Sequence, residues 1–313
     1  MIITSDLVKA LSAYVAKHKG AVIKQLFAAT GAYSRLRTIF SDAKAGESVL
    51  ITSAKLTEVL QGFQKGFQPK GDLNVDGNLV TQRRHKIDML INPDEAADHW
   101  HGFLFDENVK REDMPLVKFI LNIIFEKIAE DKEMEIIFKG IFVAPTEGVA
   151  TTAGQTVDGL LKIIGNAVTD GKHTAFALGI FDLANTHEYV ESMFDMVPDE
   201  HKFRPMDIWM SPEVQLAYAR DKKSLYAWEQ KMKELMQIDF SKINIVGTNG
   251  LAGTKFLGIT PKGNFVKVKT PKNKKVNLEV QRFERDVKVL GDFYECYGVA
   301  DFDQLYTNDQ DLN

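Results

Sequence analysis

The sequence predicts an α+β protein in which one long helix and one long β-hairpin organise the rest of the chain. Residues Met114–Gly140 carry apolar side chains at three- and four-residue spacing, which is typical of an amphipathic helix. Residues Leu50–Phe103 combine glycines and a proline with extended runs, which indicates a hairpin. Residues 145–265 alternate helical and strand-like segments, which predicts a sheet flanked by helices.

The composition is that of a globular protein without a secretory or membrane segment. The 313 residues are 44% hydrophobic and 26% charged, and the net charge of -4 argues against a dedicated nucleic-acid-binding domain. The single cysteine, Cys296, excludes an internal disulfide framework and a cysteine-built zinc site. No apolar run approaches the roughly 18 residues that span a bilayer, and the N-terminus lacks a signal-peptide pattern. We expect a protein of the cytosol, or one assembled there.

Residues 1–49 are predicted to form an N-terminal arm. Ser5–Thr30 reads as one or two amphipathic helices interrupted near Gly20. Its lysines leave membrane-surface binding open, but a packing helix or an arm laid on a partner is favoured.

The hairpin is predicted to occupy residues 50–103. After a short helical piece, Ser53–Gln61, glycines and Pro69 forbid a helix, and Asp76-Gly77 predicts a tight turn. The returning run, Leu79–Ile91, would be about 43 Å long as a strand, and its middle is polar on both faces. Because a two-stranded ribbon without a buried face is barely stable in water, a second molecule is predicted to cover it.

The long helix is the predicted spine of a unit formed by residues 104–144. Pro115 and Gly140 stand where helices favour proline and glycine. The first half should be buried, whereas the charged second half, Glu126–Glu135, should meet water or a neighbouring molecule. An ordinary long core helix is an equally good interpretation of this stretch alone.

The following unit, residues 145–265, should contain buried strands and capped helices. Met206–Met210 is predicted to be a buried strand, and Ser211-Pro212-Glu213 has the residues that open a helix. A short strand is predicted at Thr174–Phe181. The last unit, residues 266–313, should supply return strands that pack beside the spine and a loose acidic tail, Asp301–Asn313.

Motifs for chemistry are weak throughout, and no catalytic, metal or cofactor site is predicted. Gly247–Lys255 resembles a phosphate loop in composition only, because the order of its lysine and threonine is wrong, and we expect a flexible turn. His99 and His101 lack a third metal ligand at suitable spacing. Cys296 lies beside Glu295, which disfavours a reactive thiolate. The lysines at 267, 269, 272, 274 and 275 fit a protected strand edge better than a phosphate-binding surface.

The order of these units resembles the major capsid proteins of tailed bacteriophages, which have the Hong Kong 97-like fold. An N-terminal arm, an extended hairpin, a spine helix in a peripheral domain and an α/β apical domain follow one another as in that family. Three passages carry the local likeness: FRPMDIWMSPEVQLAYARDKKSLY, GTNGLAGTKFLGITPKGNFV and VQRFERDVKVLGDFYECYGVA.

The resemblance implies a mechanical function and no enzymatic activity. Copies would form pentamers and hexamers of an icosahedral phage head, assembled in the bacterial cytoplasm, around double-stranded DNA held without sequence specificity. Portal, scaffold and decoration proteins are the implied further partners. Too few residues precede the hairpin for an internal scaffold, and Lys65 and Lys70 match no crosslinking position. Six residues are predicted to contact a neighbouring subunit: Phe63, Phe67, Arg83, Arg84, His85 and Trp100.

Three other interpretations stay open. An encapsulin-type nanocompartment shell has the same fold and would enclose a cargo enzyme. A cytosolic α/β enzyme would use the 145–265 unit and its glycine-rich turn, but would leave the hairpin unexplained. A nucleic-acid-binding module is a third, weaker interpretation.

Overall fold

The computed structural model describes residues 4–18, 31–106, 116–225, 236–271 and 277–312. The helices are α1 Thr4–Lys17, α2 Gly31–Arg35, α3 Pro93–Asp106, α4 Leu116–Asp131, α5 Leu160–Thr169, α6 Thr186–Asp195, α7 Asp199–Lys202 and α8 Pro212–Leu225. The strands are β1 Arg37–Phe40, β2 Ser48–Leu56, β3 Leu73–Thr81, β4 Arg83–Ile91, β5 Met206–Met210, β6 Ile243–Gly247, β7 Gly258–Pro261, β8 Phe265–Lys269, β9 Asn277–Phe283, β10 Asp286–Val299 and β11 Tyr306–Thr307.

The 14-residue strand β10 is the centre of the larger sheet. Along one side it pairs antiparallel with β4, and along the other it pairs first with β9 and then with β8. Strand β1 adds to β8 in parallel. Helices α1 and α4 cover one face of this sheet through a core that includes Leu11, Ile120, Ile124, Val289 and Phe293. The return strands therefore pack beside the spine helix, as the sequence predicts.

The smaller sheet has the order β11-β7-β5-β6 and lies in the predicted apical region. Its central strand, β5, is buried at every position, as expected from its apolar run. Ser211 begins α8 with its hydroxyl accepting the Val214 backbone N–H at 3.3 Å. Helices α6 and α8 pack against this sheet through Val190, Met193 and Tyr218. Of the predicted strand at Thr174–Phe181, only a single bridge between Phe176 and Asn308 forms. The domain boundaries at residues 103, 144 and 265 stay predictions.

The hairpin differs from its prediction in where it turns. Asp76 and Gly77 lie inside β3, opposite Ser53 and Thr52 of β2, and the loop 57–72 makes the turn. The predicted tight turn and the predicted helical piece at Ser53–Gln61 are therefore wrong. Gly77 suits the strand because a Cβ there would meet the Leu50 side chain at 2.4 Å. The Asp-Gly pair thus permits a close cross-strand contact instead of a reversal.

The predicted return strand Leu79–Ile91 is two strands that separate at Gln82. Strand β4 belongs to the larger sheet, where its residues pair with β10 of the same chain. Residues 93–106 form α3, so the hairpin that projects from the body spans residues 48–81. The prediction that all of 79–91 needs a second molecule is wrong for the β4 half.

The charged end of the spine is also placed differently. Helix α4 continues into a π-helical turn, Lys132–Ile136, in which Lys132 and Glu133 are buried. The prediction that 126–135 meets water or a neighbour is therefore wrong for these two residues, because both have partners inside the chain. The predicted start of the helix at Met114–Pro115 lies outside the described residues.

The C-terminal residues are not a loose tail. Strand β11 pairs with β7, and Asn308 is fully buried. The Asn308 side chain accepts the Leu257 N–H at 2.9 Å and donates to the Lys255 carbonyl at 2.8 Å. These bonds attach the chain end to the smaller sheet.

Among the helices that the structure describes, none has the length and apolarity needed to cross a bilayer.

Candidate assembly interface

The β2–β3 hairpin, residues 48–81, has two chemically different faces. In the antiparallel register Leu50 lies opposite Leu79, Ala54 opposite Val75, and Leu56 opposite Leu73. Because side chains alternate across a strand, all six point to the same side. We call this set the outer face: Leu50, Ala54, Leu56, Leu73, Val75 and Leu79.

The opposite, inner face is attached to the body of the chain. Ile51 and Val80 are buried and lie over Gly298 of β10, where a Cβ would be 2.5 and 2.8 Å from their methyl groups. Further out, the Asn78 side chain donates to the carbonyl oxygens of Val299 and Ala300, at 3.0 and 3.2 Å. The inner face therefore has its apolar and polar groups satisfied within the chain.

The outer face is uncovered. Its five large side chains are each between 55% and 70% exposed, and Ala54 is exposed as well. In the part of the chain that the structure describes, neither edge of the β2–β3 pair is extended by another strand. Apart from exposed Thr52, which lies opposite Gly77, this sheet face is apolar, and a clustered exposed apolar patch is typical of an interaction surface.

The loop 57–72 extends this surface at the tip. Backbone and side-chain bonds between Thr57 and Asp72, and a bond from Gln61 Nε2 to the Gln68 carbonyl at 2.9 Å, close its base. Gly66, with φ of 100°, supplies a left-handed turn between Phe63 and Phe67. These two rings are 98% and 90% exposed, so the tip presents aromatic anchors to solvent.

The four other predicted interface residues lie away from the tip. Exposed Arg84 pairs with Asp292 at 2.8 Å, and the half-buried Arg83 guanidinium lies 3.5 Å from the centre of the Phe142 ring. Trp100 is half-buried in α3.

His85 is 4% exposed and stacks on Phe293, with ring centres 4.8 Å apart. Burial lowers the pKa of His85 to about 4. In this conformation the imidazole packs in the core of its own chain, and the contact of His85 with a neighbouring subunit stays a prediction.

A buried polar cluster lies where the spine, the larger sheet and the N-terminal region meet. Glu295 of β10 accepts the Tyr33 hydroxyl at 2.5 Å and the Lys132 ammonium at 2.8 Å. Burial alone would raise the pKa of Glu295, but Lys132 and the two hydrogen bonds outweigh it and the pKa is lowered. Lys267 donates to the Tyr33 carbonyl, and burial lowers its pKa to about 8. The cluster is closed to substrates, so its chemistry is structural.

Glu133, the next residue of the π-helical turn, has partners different from those of Lys132. Its carboxylate accepts the Ala32 and Tyr33 backbone N–H groups and the Thr248 hydroxyl, the last at 2.6 Å. The glycine-rich turn at Gly247–Lys255 is thus held by the spine, and the flexible turn expected there is wrong because Thr248, Gly250 and Leu251 are buried.

One group of side chains has the donor types of a cation site. His187, Glu191 and Asp239 bring ligand atoms within 4.8 Å of one another. However, the buried Lys222 ammonium is 2.5 Å from Asp239, and the Tyr218 hydroxyl donates to Glu191 at 3.1 Å. The lysine already supplies the positive charge that a cation would bring, so this arrangement is an internal ion network. The two imidazoles of His99 and His101 stand two apart on α3, a spacing that turns them to different sides of a helix.

Sequence reasoning missed the outer face and the bonds of the inner face. Part of the signal was present, because Ala54-Lys55-Leu56 and Leu73–Leu79 alternate between apolar and polar residues, with Gly77 in an apolar position. Placing the turn at Asp76-Gly77 concealed the correct pairing of the two strands.

Comparison with known proteins supplies a structural likeness and no sequence match. No protein-family model matches the chain, and no significant match exists among curated proteins. A subunit of the satellite phage P4 procapsid, solved with the size determination (Sid) protein, superposes with a TM-score of 0.57 at 12% identity, over 93% of this chain and 90% of that one. A virus-like particle from Pyrococcus furiosus superposes with a TM-score of 0.49 at 12% identity, over 96% of this chain and 99% of that one. The capsid of Myoviridae phage XM1 superposes with a TM-score of 0.48 at 12% identity, over 87% of this chain and 88% of that one. The superposition on the P4 procapsid, with a TM-score above 0.5, shows that the chain has the phage capsid fold, the Hong Kong 97-like α+β architecture that its sequence resembles.

Proposed function

We propose that the protein is a shell-forming capsid subunit whose copies assemble as pentamers and hexamers into an icosahedral head around double-stranded DNA. The observation that carries this proposal is the outer face of the β2–β3 hairpin. The inner face of the hairpin packs on and hydrogen-bonds to the body of the same chain, whereas the outer face and the aromatic tip of the hairpin are uncovered.

Covering this surface would contribute to the free energy of association, against the cost of the lost rotational and translational freedom. Burying a leucine or valine side chain contributes about 1.5–3 kcal/mol, and five such side chains share the outer face. Phe63 and Phe67 add two rings of the type that anchors protein interfaces. A second copy is the fitting partner, because the fold matched above belongs to a procapsid subunit.

Within this proposal, the contact residues are those that face solvent. Phe63 and Phe67 at the tip join the outer face, and Arg84 and Trp100 are accessible at the body. The Arg83 guanidinium is half-buried against the Phe142 ring of the same chain, and this contact would hold it in position at the interface. Strand β4 pairs with β10 of the same chain, so the projecting hairpin ends at Thr81 and Arg84 would make its contact from the larger sheet.

Electron microscopy of the purified full-length protein tests the proposal. We expect uniform closed particles or capsomer rings. The double variant Leu56→Glu/Leu73→Glu, which places two charges on one cross-strand pair of the outer face, should keep its circular dichroism spectrum and lose particles. Leu216→Glu on α8 is the matched control, because Leu216 is 50% exposed and Leu56 61%. Particle formation by the double variant equal to that of the control would overturn the proposal.

The contents of the particles separate a phage head from a cargo-holding shell. Nuclease-treated particles from the native source should retain double-stranded DNA of mixed sequence. Particles that contain a protein cargo and no DNA would assign the chain to a nanocompartment shell instead.

A further inference from the structure

The β2–β3 hairpin meets the body of its chain at three successive positions along the inner face. The first is apolar, where Ile51 and Val80 lie over Gly298. The second is polar, where Asn78 donates to the Val299 and Ala300 carbonyls. The third and outermost is ionic, and it is formed by Lys55.

Lys55 is surrounded by three carboxylates from two parts of the chain. Its ammonium is hydrogen-bonded to Asp303 and lies 3.5 Å from Asp301 and 3.6 Å from Asp76. Asp76 belongs to β3, whereas Asp301 and Asp303 follow β10. The hydrogen bond that Lys55 donates to Asp303 is the largest of the causes that raise the pKa of Lys55, so the ammonium stays charged at neutral pH.

The segment that carries Asp301 and Asp303 is hydrogen-bonded to the body of the chain. Asp301 accepts the Asp303 N–H at 3.0 Å and the Gln304 side-chain amide at 3.0 Å, and its own N–H donates to Asn264 at 2.8 Å. The Asp301 carboxylate and the backbone N–H of Asp303 are therefore held to the body by bonds within the chain.

We infer that residues 299–303, together with Lys55 and Asn78, form a latch that sets the direction in which the hairpin projects. The latch preorganises the outer face toward the neighbouring copy, so association does not have to order a freely swinging hairpin. This inference rests on the proposed function. The attachment of the hairpin to its own body by Lys55 can nevertheless be measured in unassembled protein.

The latch should be weaker in salt than the rest of the attachment. Lys55 is 35% exposed and Asp303 69%, so their attraction is screened as ionic strength rises. The Ile51 and Val80 contacts are buried and do not share this dependence. High salt should therefore loosen the outer half of the hairpin and leave its base in place.

Distance measurement by double electron–electron resonance tests the latch in the full-length chain. Spin labels on Gln64→Cys at the tip and Glu213→Cys on α8 report the hairpin direction. Cys296 is buried and burial raises its pKa to about 12, so it should not take the label. Unassembled protein is measured directly, and assembled protein is first diluted with unlabelled copies.

We expect a narrow distance distribution in the parent and one at least about twofold broader in Lys55→Gln or Asp303→Asn, because a minor set of orientations becomes populated. Lys65→Gln, which removes one charge from the tip beyond the latch, should resemble the parent. Particle formation by Lys55→Gln should slow about two- to fivefold, as the competent fraction falls. A distribution in Lys55→Gln and Asp303→Asn that is unchanged from the parent would overturn the latch. If the distance distribution broadens in Lys55→Gln and Asp303→Asn but the parent protein never forms particles, the proposed function is overturned and the latch stands.

Discussion

The Lys132 ammonium lies 2.8 Å from the Glu295 carboxylate, and both side chains are almost completely buried, at 4% and 0% exposure. Lys132 belongs to the π-helical turn that ends the spine, and Glu295 to the long strand β10. The Tyr33 hydroxyl completes the carboxylate's bonding at 2.5 Å. One charged pair thus joins the spine, the larger sheet and the N-terminal region.

Removing one member of this pair should destabilise the fold strongly. Lys132→Met or Glu295→Gln leaves an uncompensated charge in the core, and we expect a loss of about 3–5 kcal/mol in the free energy of unfolding, measured by denaturant titration. The double variant Lys132→Met/Glu295→Gln should recover part of this loss, because neither charge of the pair is then left without its partner. Single variants as stable as the parent would show that the pair is not desolvated.

His85 should make stability dependent on pH below neutrality. Its pKa is about 4 in the folded chain, mainly through burial, against about 6.5 when unfolded. As the pH falls through 6.5 the unfolded chain binds a proton that the folded chain does not, so stability declines until about pH 4. Relative to His85→Phe, the parent should lose about 3 kcal/mol over this range. His99→Phe, at an exposed position on α3, should keep the parent's pH dependence. Equal pH profiles for the parent and His85→Phe would contradict a buried neutral imidazole.

Glu133 should stabilise the junction between the spine, helix α2 and the Gly247–Lys255 turn. Its carboxylate accepts two backbone N–H groups of α2 and the Thr248 hydroxyl. Glu133→Gln replaces charge-assisted bonds with weaker ones, and we expect thermal or chemical denaturation to report a loss of about 1.5–3 kcal/mol. Glu135→Gln, at an exposed position on the same turn, should cost far less. A comparable loss in both variants would rule out a specific role for Glu133.

A side chain at Gly298 should push the hairpin off the body. A Cβ there would meet Val80, whose χ1 is stiff, at 2.8 Å and Ile51 at 2.5 Å. Gly298→Ala should lower the free energy of unfolding by about 1–3 kcal/mol and increase proteolysis of residues 48–81. Gly62→Ala, which adds its Cβ in open space, is the control. Identical protease sensitivity for the two variants would contradict the packing described at the hairpin base.

The elements that local patterns define were predictable from the sequence. The apolar stripe of α4, the buried run Met206–Met210 and the opening of α8 at Ser211 all lie where periodicity and capping chemistry place them. The order of the units was also sufficient to indicate the fold.

Features that depend on contacts between distant parts of the chain were not predictable. The charged residues at Glu126–Glu135 give no sign that Lys132 and Glu133 are buried, because their partners, Glu295 and Thr248, lie far along the chain. Asp76-Gly77 has the composition of a turn, yet the closeness of Leu50 places it in a strand. The acidic end of the chain is held in place by Asn308, whose two bonds to residues 255–257 no local pattern reveals.

A cryo-electron microscopy map of particles assembled from the unmodified protein tests the central claim most directly. We predict a closed shell in which the outer face of each hairpin, at Leu56 and Leu73, packs against a neighbouring copy and the Phe63 and Phe67 rings are covered. A protein that stays monomeric, or a shell in which these four side chains face solvent, would contradict the account.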